Sequence, residues 1–283
     1  MGFFEQRQRT AELKKLLNEQ AQILNGDAVK TSTATQSAVE IALKTDVDKI
    51  RAMPSLAERN DYKRDHFLPK WLPYVDSYIQ NGENYPNLTL AYCLVYCFDV
   101  GAFEKALALT EVAIKQQQAL PDNFSSSPAA FASSFILEWA ERCAQVGQSF
   151  EPYFSQMLRK VVTEWTLHEV IQAKWLKFTA QALITTADGK VLAAQIYEPH
   201  RLMLAQCLLE RAFALNPKSG VKSLLERIQM RLKALKSDIT NAPNGGQLNN
   251  QDISQYLDDI ADYLIRPPLS ESEYLTQRNE ADV

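Results

Sequence analysis

Basic residues carry the clearest chemical signal in this sequence. Arg7, Arg9, Lys14 and Lys15 lie near the N-terminus, and Lys63 and Arg64 precede a proline-tryptophan cluster. Lys218, Lys222, Arg227 and Arg231 fall toward the end of the helical part of the chain. All are candidate phosphate contacts, because neutralising phosphate with Lys and Arg supplies most of a protein's affinity for nucleic acid. Taken one at a time, each is better explained as a solvated surface charge. The formal net charge of −4 argues against such a partner until its distribution is read. Residues 1–70 sum to +2 and residues 161–236 to +5, whereas residues 71–160 sum to −4 and residues 237–283 to −7. A chain so divided suits two different partners.

Catalytic chemistry has no comparable signature. Magnesium-dependent phosphodiester cleavage needs grouped carboxylates, with a lysine or histidine to manage the water. The carboxylates here are spread over solvent-face positions, and Asp258, Asp259 and Asp262 fall on one short acidic helix. His66, His168 and His200 stand outside any HxH or HExxH pattern. The four cysteines form no CxxC pair, and Cys93 and Cys97, four apart in an apolar run, read as buried packing. A glycine-rich phosphate loop is missing, which excludes an intrinsic ATPase. The serines at 125–127 and 133–134 read as helix caps. The sequence therefore predicts no catalytic residue, no metal and no cofactor.

The elements that position these groups read as helices. Few glycines and prolines and many Ala, Leu, Gln, Glu and Lys give an all-α class. Phe3 to Leu24 is amphipathic, with Leu13, Leu16, Leu17 and Leu24 on one stripe, and residues 25–37 read as a flexible connector. A helix is expected from Ala38 to Met53, then a proline-aromatic cluster without regular hydrogen bonding, HFLPKWLPYVDSY, with Trp71 between Pro69 and Pro73. Leu88 to Phe98, Gly101 and the stretch from Phe103 predict a helical hairpin closed by a glycine cap. Ser127-Pro128 predicts a helix start running to Val146, Pro152 another, and Glu164 to Ile184 a further helix before the Asp188-Gly189 turn. Met203 to Leu215 and Val221 to Leu235 complete the core, the latter with Lys222, Lys233 and Lys236 on one flank and Arg227 and Arg231 on the other.

After Lys236 the composition becomes that of a linker, SDITNAPNGGQLNN. Gln251 to Ile265 then places Ile253, Tyr256, Leu257, Ile260 and Leu264 on one apolar stripe, with the three aspartates off it. A helix this short is marginal alone. It either folds back on its own core or docks on another protein, and the linker and acidity point to docking. The expected divisions are an N-terminal helix and connector over 1–37, an all-helical core over 38–236, a linker over 237–250 and an acidic helix and tail over 251–283.

Leu90 to Ala113 and Leu204 to Pro217 resemble tetratricopeptide helical pairs, so the core is expected to be built of TPR-like hairpins. A closer likeness follows from three ordered motifs: LPKWLPYV at 68–75, TLAYCLVYCFDVGAFEKALAL at 89–109 and LERAFALNPKSGVKSLLERIQMRLKAL at 209–235. Together they resemble the GpM-like small terminase subunits of P2-like (Peduoviridae-type) tailed phages, over about residues 38–236. The resemblance implies a homo-oligomer, a ring, that binds double-stranded phage DNA at the cohesive-end region and recruits a large subunit carrying the ATPase and nuclease. It also favours the N-terminal basic groups as DNA contacts, and it names the large subunit as the partner for the C-terminal stripe. The acidic C-terminus departs from the basic tail of that family. Two rival readings are a helical-repeat adaptor that binds only proteins, and the endonuclease subunit itself. The longest apolar run is too short to span a bilayer, which predicts a protein of the host cytoplasm with no membrane partner.

Overall fold

The computed structural model describes residues 28–186, 188–235, 248 and 252–281. The expected helix at Phe3 to Leu24 and nearly all of the 237–250 linker lie outside the described residues. Among the described residues every regular element is helical, apart from one isolated bridge between Thr185 and Val191. The chain divides into two compact units between Ala102 and Phe103, within the stretch that composition suggested as one core.

The first unit contains α1 (Ala28–Ala52), α2 (Leu56–Tyr62), α3 (Leu68–Gln80) and α4 (Leu88–Asp99). The apolar run forms α4, which is buried on nearly every side, through Leu90, Cys93, Leu94, Cys97 and Phe98. Cover comes from Trp71, Val75 and Tyr78 on α3 and from Leu43, Val47 and Ile50 on α1. The Asn87 Oδ1 accepts the Leu90 N–H at 3.0 Å to start α4. At its other end Gly101 takes φ +77° and the Ala102 N–H bonds the Cys97 carbonyl at 2.9 Å, the glycine cap that the sequence predicts.

Two elements differ from expectation. Helix α1 begins ten residues before Ala38 and takes in the Ser/Thr-rich stretch assigned as connector; these residues are poor but permitted helix formers. The proline-tryptophan segment is also helical. Pro69 occupies the first turn of α3, directly after the preceding helical turn, and Pro73 sits inside the helix. A π-helical turn, Lys63–Phe67, joins α2 to α3 just before this proline pair.

The second unit contains α5 (Phe103–Lys115), α6 (Pro128–Gln145), α7 (Tyr153–Thr163), α8 (Glu169–Leu183), α9 (Pro199–Leu215), α10 (Lys222–Ala234), a 3-10 turn (Ile253–Tyr256), α11 (Leu257–Ile265) and α12 (Glu271–Ala281). Helices α8 and α9 make the broadest contact and run antiparallel, since Leu183 meets Arg201 while Gln172 and Leu215 line one groove at the other end. Trp175 lies at the centre, fully buried and stacked on Phe154 with centroids 4.7 Å apart. Ser127 caps α6 through the Ala130 N–H, with Pro128 in the first turn, as its sequence predicts. Helix α8 starts five residues later than Glu164, because the His168 Nδ1 accepts the Val170 N–H and caps it there.

Trp71 is 5% exposed, and its indole N–H donates to the Asp46 Oδ2 at 2.8 Å, an oxygen that also receives the Lys70 Nζ at 2.7 Å. It thus ties α3 to α1 by packing and by a directed bond. We expect Trp71→Ala to destabilise the first unit by about 3 to 5 kcal/mol. Thermal or urea unfolding checks this, and a variant that melts with the parent refutes the anchor.

Candidate nucleic-acid interface

Helix α10 presents most of its basic groups to solvent. Val221, Ile228 and Leu235 are buried and fix the helix on the unit, and Leu224, Leu225 and Leu232 are half-buried beside them. The preceding loop is pinned by the Lys177 Nζ, which donates to the Ser219 carbonyl at 2.8 Å, and Gly220 makes the turn at φ +71°. Lys218, Lys222, Arg227 and Lys233 are left exposed. The Lys222 ammonium stands 5.1 Å from the Phe213 ring centroid, with room to face an anion. Arg231 is committed differently: its Nε–H donates to the Ile196 carbonyl at 2.9 Å and its guanidinium lies over the Tyr197 ring. It holds α10 to the turn before α9, so it is a positioning group and a poor candidate for a phosphate.

The two candidates in the first unit are also engaged. The Lys63 side chain is buried and donates to the Asp99 Oδ2 at 2.8 Å and the Asn60 Oδ1 at 3.2 Å, over the Tyr96 ring. The sequence offers Lys63 as a phosphate contact, and in the structure the π-turn carries it inward to a carboxylate. Arg64 is exposed and paired with Asp61 at 2.9 Å, one turn earlier. Arg7, Arg9, Lys14 and Lys15 lie outside the described residues.

The C-terminal stripe folds back on its own unit. Ile253, Leu257 and Ile260 are buried, Tyr256 and Leu264 half-buried, and the turn and α11 pack on α7, α8 and α9. The face expected to dock on another protein is occupied by the chain itself. The end of α11 is gripped by Arg201, whose guanidinium is wholly buried. Its Nη1 donates to the carbonyls of Leu183 and Tyr263, and its Nη2 to those of Arg266 and Pro267, at 3.2 to 3.3 Å. Its Nε lies 2.9 Å from the Glu198 Oε2, which accepts the Leu269 N–H at 3.0 Å. Burial pulls the Arg201 guanidinium below its usual range, against which Glu198 works. Composition could not signal this pair, since one arginine two residues from a proline looks like any other.

The remaining chemistry-bearing groups are dispersed. His66 packs its ring on Tyr62, His168 caps α8, and the His200 Nδ1 is 3.4 Å from the Tyr263 hydroxyl. All four cysteines are buried and free of disulfides, and burial pushes the Cys207 thiol up to about 11, away from a thiolate at neutral pH. Among the described residues no three His, Cys, Asp or Glu side chains are grouped to hold a metal ion. No described helix is long and apolar enough to cross a membrane.

The fold and surface thus define an all-helical protein whose charge is divided between a basic helix and an acidic C-terminal segment. The chain belongs to the phage small terminase subunit family, whose family model matches residues 40–170. It is 42% identical over 277 residues to the probable terminase, endonuclease subunit, of Haemophilus phage HP1 (strain HP1c1), covering 96% of this chain and 97% of the relative. It is 23% identical over 193 residues to the terminase, endonuclease subunit, of Escherichia phage P2, covering 68% of this chain and 72% of that protein. No solved structure matches.

Removing the Arg201 guanidinium strands the Glu198 carboxylate in the interior and frees the end of α11. We expect Arg201→Ala to cost about 3 to 5 kcal/mol and to make the segment after residue 252 sensitive to protease. A variant with parental melting and digestion would show that the buried pair does not hold the segment.

Proposed function

We propose that this chain is the DNA-recognition subunit of its terminase: it binds double-stranded phage DNA near the cohesive end, assembles as a homo-oligomeric ring and recruits the large ATPase and nuclease subunit. The observation that carries this reading is the exposed set Lys218, Lys222 and Arg227, presented by one loop and helix whose packing is supplied by other residues. Family membership supports it. The N-terminal Arg7, Arg9, Lys14 and Lys15 are a second arm of the same interface in this proposal. Few contacts per subunit suffice in a ring, because repetition converts weak phosphate contacts into avidity.

Both relatives bear the name endonuclease subunit, which favours a second reading in which this chain cuts DNA. Our reading assigns it the recognition step that cutting requires. The acidic outer face of the C-terminal segment, with Asp259, Asp262, Glu271 and Glu273 exposed, is the surface proposed to meet the large subunit, in place of the occupied apolar stripe.

The test is fluorescence anisotropy with a labelled cohesive-end duplex across a salt series. Each lost phosphate contact lowers the slope of log affinity against log salt by about 0.9, so Lys218→Ala/Lys222→Ala/Arg227→Ala should lower it by roughly 2 to 3. If the slope is unchanged, α10 is not the interface, and the same measurement on Arg7→Ala/Lys14→Ala/Lys15→Ala then tests the N-terminal arm. Cleavage of that duplex by the purified chain with magnesium would favour the second reading.

A further inference from the structure

The acidic C-terminal segment, residues 252–281, faces basic groups of its own unit at successive positions. Asp252 and Arg211 line one shallow groove of about 280 Å³ at the end of α9. Six residues on, the Asp258 Oδ1 pairs with the Arg159 Nη2 of α7 at 2.6 Å. Next to it the Asp259 Oδ2 lies 3.8 Å from the His200 Nε2, at the start of α9. The segment therefore runs from one end of α9 to the other and sets Asp258 against Arg159 and Asp259 against His200 along the way. Its fixing does not depend on these exposed contacts. Buried Ile253, Leu257 and Ile260, with the Arg201 grip on the carbonyls of Tyr263, Arg266 and Pro267, already hold it. Asp258 and Asp259 are thus free of a packing duty, and both are exposed. A row of carboxylates over arginine and histidine has the charge pattern of a phosphodiester backbone over the same groups.

We infer that this segment is a built-in competitor of nucleic acid: it occupies Arg159 as a DNA backbone would, and so weakens DNA binding by the free subunit. Arg159 is the decisive group. It projects from α7 with about half of its side chain exposed, and Asp258 is its counter-ion. Because the competitor is packed on the same unit, it is present at every protein concentration. Any partner that draws off the acidic face would release Arg159 for phosphate. The inference rests on the DNA-binding reading above and adds a second cationic site, Arg159 on α7, apart from α10.

The test uses the full chain and a fluorescein-labelled random-sequence duplex at low salt. Asp258→Asn/Asp259→Asn should tighten binding about fivefold, the shift expected when exposed ion pairs are lost. Arg159→Ala should change little in the parent and should cancel the gain in the neutralised chain, a non-additive pair. Asp262→Asn/Glu271→Gln is the control for net charge alone, since it removes the same two charges from exposed positions of the same segment. Binding by the neutralised chain only, or tighter binding that Arg159→Ala cancels, upholds the inference. If the parent binds and the asparagines change nothing, if the control pair matches them, or if Arg159→Ala leaves the gain in place, the inference falls and the DNA reading stands. If neither the parent nor the neutralised chain binds, both fall.

Discussion

The second unit depends on one buried guanidinium. Arg201, at the start of α9, sits where the ends of α8 and α11 converge, and these two ends present carbonyls that no helical N–H satisfies. A buried carbonyl left bare costs about 1 to 3 kcal/mol, so leaving four bare is incompatible with a stable unit. Arginine is suited to the task because its planar fork offers five donors at fixed angles, where lysine offers a point charge. The charge this brings inside is balanced by Glu198, three residues earlier on the same turn. Glu198 in turn accepts the Leu269 N–H, so one ion pair fixes the chain on both sides of Pro267 and Pro268.

That use of charge recurs in the first unit, where Lys63 reaches Asp99 and Lys70 reaches Asp46. Basic residues in this protein thus divide into those consumed by architecture and those left over. The former sit where helix ends or π-turns expose carbonyls and carboxylates. The latter, Lys218, Lys222, Arg227 and Lys233, sit on a helix whose attachment is apolar. A phosphate contact needs the second kind, since a cation already neutralised at 2.8 Å must break that bond before it can serve.

Much of the fold was legible because it rests on local rules. The Ser127-Pro128 start, the Gly101 cap and the period of α10 are decided by residues within a turn or two of one another, so the sequence displays them directly. The proline-tryptophan segment was misread because Pro69 and Pro73 each argue against helix locally. The deciding term is tertiary: Phe67, Trp71, Val75 and Tyr78 recur at helical spacing and bury against α4. The burial of Lys63 was hidden from the sequence for the same reason. Its partner Asp99 is 36 residues away, and no spacing rule connects them. The division of the chain at Ala102 left no mark in composition, because a helix cap at a unit boundary is built from the same residues as any other cap.

The C-terminal helix shows how magnitudes settle what pattern leaves open. Docking on a partner and folding back need the same apolar stripe, and a long polar linker looked like an argument for docking. Closing a loop of about 16 residues costs only about 2 to 3 kcal/mol by the logarithmic law, and each doubling of its length adds little more. Burying Ile253, Leu257 and Ile260 returns roughly 1.5 to 3 kcal/mol apiece. Closure is therefore offset by any two of the three, before Arg201 contributes its donors. A linker of this length separates the helix from α10 without lifting it from the unit. The acidity that seemed to belong to a tail seeking a partner then lies over the protein's own Arg159 and His200.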